Sequence, residues 1–269
     1  MLSTLNNVYN SIMRNLSVPA VILSVKQSGE NNRTITLLTP SDGIIYATLF
    51  GGPKSKLRSL ASQFNSGVVY LYQDEVKNSR KITDFDVKKY HPSFNENLFK
   101  TYAASFAAEI IIKTRCAGSP DKAFYYFNGL IDGMELSSEN DSRLGLIRFL
   151  WRYMELLGVR PDTSCCCKCG QSFLTGKITG DAVEYIASYS EIDNGFLCTD
   201  CMALKNQRFI LSKHAVTYLQ ATAVLTPKEV RQIQIDGRTL TELKDFCYSL
   251  IQNACDSKLL SLQSGLSIL

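Results

Sequence analysis

Two C-x-x-C pairs carry the most specific chemistry in this sequence: Cys166-Cys167-Lys168-Cys169-Gly170 and Cys198-Thr199-Asp200-Cys201. A two-residue spacer lets both sulfurs of a pair turn to one side, and the twenty-eight residues between the pairs leave room for one tetrahedral four-thiolate site. Gly170 suits the tight turn after the second sulfur, and Asn194-Gly195 can turn a short hairpin ahead of Cys198. The expected ligands are therefore Cys166, Cys169, Cys198 and Cys201, and the expected ion is one zinc. Four protein ligands close the shell, which makes that ion structural, and its binding would contribute to folding residues 162–210. Cys165 or Cys167 can stand in for Cys166; the spacing and the following glycine favour Cys166. Cys116, Cys247 and Cys255 lie in apolar helical stretches and read as core.

The second signal is a run of alternating basic residues, Lys54, Lys56 and Arg58, on a loop led by Gly51-Gly52-Pro53. Lys26, Arg33, Lys88 and Lys89 lie in or beside neighbouring candidate strands. Cations at such spacing can track successive phosphates, and aromatic rings on a barrel face can stack bases. Tyr46, Phe50, Tyr70 and Tyr72 are the available rings, each expected in the interior, because a small barrel needs bulk there. Charge distribution agrees with a polyanion partner. Residues 1–90 hold eleven Lys/Arg against six Asp/Glu, so the whole excess of a +4 chain sits in its first third.

Catalysis is poorly supported. The two histidines, His91 and His214, have no acidic or cysteine partner nearby in sequence, and no phosphate-cradling Gly-Lys-Ser/Thr loop, nucleotide fingerprint or nucleophile elbow occurs. The expectation is a non-enzyme. Two other classes compete with a nucleic-acid binder: a protein adaptor whose barrel takes acidic peptides, and a nucleic-acid-modifying enzyme that uses the cysteine-bearing segment only to dock.

These residues need elements to position them. Val18–Val25, Arg33–Thr39, Ile44–Phe50, Val68–Tyr72 and Lys81–Val87 are rich in Val, Ile, Thr and Tyr and broken by Gly, Asn and Asp turns. Five strands with a longer connection between the third and fourth fit a five-stranded OB-type barrel, with an SH3-like barrel as the competing topology. Leu5, Val8, Tyr9, Ile12, Met13 and Leu16 fall at helical spacing, which predicts an amphipathic helix over 1–16. From Pro92 the period is helical. Ser93/Glu96, Thr226/Glu229 and Thr239/Glu242 read as capping boxes, Asn140-Asp141 as a cap, Ser119-Pro120 as a helix start and Gly158 as a stop. No run of eighteen apolar residues and no secretory signal is present, so the chain is expected in the cytoplasm.

In this order the motifs resemble the RecO family of recombination mediators. Gly29-Glu30-Asn31-Asn32-Arg33 leading to Thr36-Leu37-Leu38-Thr39 and Gly43 is similar to that family's first hairpin. Gly51 to Arg58, Gln63-Phe64 and Val68–Tyr72 resemble its basic loop and following strand. Arg148-Phe149, Leu156-Leu157-Gly158 and Pro161, running into Cys166-x-x-Cys169-Gly170, resemble its central helix and zinc knuckle. The basic loop is shorter than usual, Leu150 stands where an acidic residue often follows the Phe, and residues 1–16 are an extension.

The resemblance implies an α+β protein: an OB-fold over 17–90, a helical domain over 91–161 and 211–269, and a zinc ribbon inserted at 162–210. It implies a bacterial, nucleoid-associated protein that binds single- and double-stranded DNA and anneals strands coated by single-strand-binding protein. With RecR it would promote RecA loading. Arg148 and Arg152 on the central helix are the expected dock for the acidic C-terminal tail of single-strand-binding protein, since a guanidinium fork suits a carboxylate.

Overall fold

A computed structural model describes residues 13–52, 54–173, 185–202, 208–265 and 267–269. Five strands open the described chain: β1 (Met13–Ser28), β2 (Asn32–Thr39), β3 (Gly43–Leu49), β4 (Ser66–Asp74) and β5 (Ser79–Lys89). They close into a barrel of order β1-β2-β3-β5-β4, with β4 returning to β1. Every pairing is antiparallel except β3 to β5. This is the five-stranded, OB-like barrel anticipated from the strand pattern. Period-two alternation fills it: Ala20 and Ile22, Ile35 and Leu37, Ile45, Ala47 and Leu49, Val69 and Leu71, Ile82 and Phe85 form one buried cluster. Gly67 marks a bulge in the β4–β5 ladder, where an added Cβ would lie 2.1 Å from the Asp86 carbonyl oxygen.

The helix expected over 1–16 is corrected where it can be seen. Met13–Leu16 continue β1 and sit opposite Leu71–Asp74 of β4, so ladder hydrogen bonding overrides the apolar spacing. Residues 1–12 lie outside the described residues. The long β3–β4 connection contains a short helix, α1 (Lys56–Leu60), whose Leu57 and Leu60 pack on the barrel core.

Four helical segments follow: α2 (Ser93–Glu96), α3 (Leu98–Lys113), a 3-10 turn at Arg115–Gly118 and α4 (Pro120–Glu135), which has Pro at its first turn. The cap expected from Ser93 is replaced. The Ser93 hydroxyl donates to Glu135, and Asn97 caps α3 by accepting from the Lys100 amide. Arg115, Cys116 and Ala117 all hold φ between 50° and 61°, a left-handed turn costing about 1–2 kcal/mol per residue. Burial of the Cys116 side chain beside Gly43 and Ile44 of β3 offsets part of this, and pushes its thiol up to about 11.

The chain divides into two compact units, residues 1–139 with 259–269, and residues 140–258. The barrel, α3 and α4 therefore share a unit with the C-terminal helix α9 (Leu260–Ser264), and the expected helical domain is shared between the two units. Glu109 of α3 fixes α9, accepting from the Leu260 and Ser261 amides and the Ser261 hydroxyl. Burial pushes the Glu109 carboxyl up, but those bonds and Lys113 outweigh it and hold the group below its usual range. A depressed carboxyl stabilises the fold above its unfolded pKa of about 4.3, and that contribution disappears as pH falls through the folded value. Glu109→Gln should therefore cost about 1 kcal/mol at pH 7, with the gap from wild type closing below about pH 4. Denaturant titrations across pH check this, and a gap that widens on acidification would contradict it.

The second unit holds α5 (Glu139–Leu156), which begins just before the expected Asn140-Asp141 cap and is followed by Gly158 at φ 70°. A three-stranded sheet of order β7-β6-β8 comprises β6 (Tyr185–Ser190), β7 (Gly195–Leu197) and β8 (Ile210–Ser212). Helices α6 (Lys213–Val224), α7 (Pro227–Val230) and α8 (Gly237–Ala254) complete it. The Thr226/Glu229 capping box is present. The Thr239/Glu242 box is not, because Asp236 caps α8 and Glu242 accepts from the Ser212 amide. Phe246 of α8 gathers Trp151, Tyr189, Phe196 and Phe209, with centroids 5.2–6.4 Å away, joining sheet and helices in one aromatic core.

Candidate nucleic-acid interface and metal centre

The barrel surface carries rings where the interior was expected to take them. Tyr46, Phe50 and Tyr70 are 56%, 49% and 41% exposed, and Tyr72 is half-buried. Strand parity is the reason. Ile45, Ala47, Leu49, Val69 and Leu71 point inward, so the alternate positions 46, 50, 70 and 72 point out. Lys81 of β5, opposite both Thr48 and Tyr72, sets its ammonium 5.2 Å from the Phe50 ring centre and 6.0 Å from that of Tyr72. Beside it the Arg80 Nε donates to Gln73. Sequence reasoning missed Lys81. Its alternation with Ile82 marked it as outward, but the parallel β3–β5 pairing that brings it to Phe50 has no local signal.

The structure brings several of the basic residues to one end of the barrel. Lys26 lies opposite Thr34, and Arg33 opposite Gln27 and Leu49. The β1–β2 turn approaches the β3–α1 loop, since a Cβ on Gly52 would lie 3.8 Å from Asn31 Oδ1. Arg58 of α1 is close enough to Arg33 for its charge to act there. Burial first, then Arg58, lowers the Arg33 pKa. Lys54 and Lys56 are exposed on the same connection, while Pro53 lies outside the described residues. Lys88 and Lys89 are not brought to this cluster. They lie seven and eight residues along β5 from Lys81, roughly 23–26 Å at about 3.3 Å per residue. Lys88 pairs with Asp86 at 2.6 Å, and Lys89 pairs with Asp132, which also accepts from His91.

Arg148 and Arg152 both tie α5 to α6. An Arg148 Nη donates to the Tyr218 hydroxyl at 2.9 Å. Arg152 donates to the carbonyls of Thr222 and Leu225, where α6 ends and its last oxygens lack helical partners.

The second site is metal-like. The sulfurs of Cys166, Cys169, Cys198 and Cys201 all lie within 4.8 Å of one another, and those of Cys169 and Cys198 are 3.6 Å apart. A tetrahedral ion with metal–sulfur bonds of about 2.3 Å requires sulfurs about 3.8 Å apart. The backbone shapes both knuckles. The Gly170 amide donates to the Cys166 carbonyl with Gly170 at φ 75°, and the Cys201 and Met202 amides donate to the Cys198 carbonyl. The Cys167 amide donates to the Phe196 carbonyl, which joins the first knuckle to β7. Burial pushes the Cys166 thiol up, but amides of Cys169, Cys198 and Lys168 overcome it and hold it at about 6. Hydrogen bonds with Cys169 and Cys198 push Cys201 up to about 12. Four thiolates held this close together would need a cation among them. Cys165 and Cys167 stand outside the cluster. Cys165 faces Asp162, and the Cys167 side chain lies against Gly195, where an added Cβ would come within 2.8 Å.

The model of the family described as "Recombination protein O N terminal" matches residues 13–90, and that of "Recombination protein O C terminal" matches residues 95–263. Among curated proteins, the chain is 24% identical over 236 residues to "DNA repair protein RecO" of Bacillus pumilus (strain SAFR-032), covering 83% of each. It is 23% identical over 243 residues to the protein of that name from Moorella thermoacetica (strain ATCC 39073 / JCM 9320), covering 90% of this chain and 86% of the relative. No helix among the described residues is long and apolar enough to cross a membrane.

Proposed function

The chain belongs to the RecO family, and from that premise we propose that it is a non-catalytic DNA repair mediator whose barrel grips single- and double-stranded DNA. The observation that carries this reading is the outward row of Tyr46, Phe50, Tyr70 and Tyr72, with Lys81 over two of the rings and Arg33, Arg58, Lys26, Lys54 and Lys56 at one end. Bases have π faces that stack on such rings at about 1–3 kcal/mol each, and the cations follow the phosphates. Lys88 and Lys89, already facing carboxylates, contribute less.

Zinc is the proposed ion at Cys166, Cys169, Cys198 and Cys201, because four soft thiolates in tetrahedral reach suit it and leave no position for water. When bound, it would neutralise the thiolates and cross-link the two knuckles. Docking of the acidic tail of single-strand-binding protein is proposed at Arg148, which spends one N–H on Tyr218. Arg152 acts instead as a strut for the end of α6. On this reading the protein works in the bacterial cytoplasm at the nucleoid, with RecR, to anneal coated strands and promote RecA loading.

The test is annealing of complementary strands coated with single-strand-binding protein, followed by fluorescence with and without this chain. Acceleration supports the reading. No acceleration, with DNA binding intact, would restrict the chain to passive binding. Tail peptide bound while bare DNA is ignored would favour the protein-adaptor alternative.

A further inference from the structure

The barrel's end holds two guanidinium groups, Arg33 and Arg58, that pair with no carboxylate among the described residues. Arg33 has the inward parity of Ile35 and Leu37, and its cross-strand partner Leu49 is core. Its stem therefore runs toward the end of the barrel and not onto the outer face with Tyr46 and Phe50. Arg58 belongs to α1, whose Leu57 and Leu60 cover that same core. Arg58 Nη1 is shielded from solvent and meets no acceptor among the described residues. Neither arginine forms an ion pair among the described residues. A charged donor shielded without a partner is unfavourable, and the guanidinium fork is matched to phosphate oxygens.

We propose that Arg33 and Arg58 form a clamp for a strand-terminal phosphomonoester, so that the barrel engages phosphorylated strand ends in preference to strand interiors. The proposal rests on the nucleic-acid reading above and adds which phosphate the clamp takes. Two adjacent cations match a terminal phosphate, which carries about −1.5 to −2 charge at neutral pH, better than an internal phosphodiester with a single charge. Shape points the same way. A continuous strand lying on the outward rings keeps its internal phosphates on the outer face, whereas a chain end can turn over the rim and bring its oxygens to the Arg33 and Arg58 side chains there.

The experiment uses the full chain and fluorescence anisotropy with one single-stranded sequence in four forms: 5′-phosphate, 3′-phosphate, hydroxyl at both ends, and a covalently closed circle. One or both terminal phosphates should tighten binding about tenfold over the hydroxyl form, the equivalent of one charge-assisted hydrogen bond. The circle should bind like the hydroxyl form. Arg58→Lys and, separately, Arg33→Lys should bring the phosphate-to-hydroxyl ratio close to one, because a point charge cannot supply the fork. Equal affinity for all four forms, or a circle bound as tightly as a phosphorylated strand, would show the clamp holding an internal phosphodiester and overturn the proposal. So would a ratio unchanged in both variants. Failure to bind any form is a different result, and removes the nucleic-acid reading itself.

Discussion

Reversing the charge at Lys54, Lys56 and Arg58 together should lower the affinity of the full chain for a single-stranded oligonucleotide by a hundredfold or more at low salt, on the order expected for three lost phosphate contacts. About four such contacts give a log–log salt slope near −3 for single strands, and losing three should flatten it to about −1. The structure adds a reason for a large effect. These side chains share one end of the barrel with Lys26 and Arg33, so the substitution inverts a local field as well as deleting contacts. Anisotropy titrations at several salt concentrations read both quantities, and wild-type affinity with a wild-type slope would remove this loop from the interface. Charge reversal at Lys88 and Lys89 should do much less, because each already faces a carboxylate.

The other large effect concerns the cysteines. Cys198→Ser with Cys201→Ser should abolish binding of about one equivalent of metal and unfold the segment around both knuckles. Structural four-thiolate sites contribute on the order of 10–16 kcal/mol of binding free energy at neutral pH, as much as the whole stability of a typical domain. Here the loss has a route into the rest of the second unit. Phe196 lies two residues before Cys198, its carbonyl holds the Cys167 amide, and its ring packs 5.4 Å from Phe246. Near-ultraviolet circular dichroism and metal analysis of protein purified without added zinc check this together. Cys165→Ser should leave metal content at wild-type level. Intact aromatic signals with no metal would show that the knuckles are held by packing alone.

Much of this was legible in the residues, and the failures have physical causes. The barrel strands could be read because Ile35/Leu37 and Ile45/Ala47/Leu49 alternate with polar or outward residues, a signal that needs no knowledge of partners. The same alternation places Tyr46 and Phe50 outside, since their parity is opposite to that of Ile45, Ala47 and Leu49, and parity outweighs the need for bulk inside a small barrel. Met13 and Leu16 matched a helical period by coincidence, since the strand that pairs with them lies more than fifty residues away in β4. Ser93 and Thr239 looked like caps, yet Asn97 and Asp236 occupy those roles, because tertiary partners such as Glu135 and Ser212 compete for the same side chains. The cysteine quartet was the most readable part of the candidate site, its spacing being nearly the whole of the information. Lys81 was the least readable, since only the closed barrel brings it over Phe50.

The claim on which all else depends is that nucleic acid lies across the outward rings of the barrel. Photo-crosslinking of the intact protein to a single-stranded oligonucleotide containing 5-iodouracil, with the modified residues identified by peptide mass spectrometry, tests it directly. Adducts are expected on Tyr46, Phe50, Tyr70 or Tyr72. Adducts confined to residues 140–258, from protein that binds the oligonucleotide and retains its metal, would contradict it.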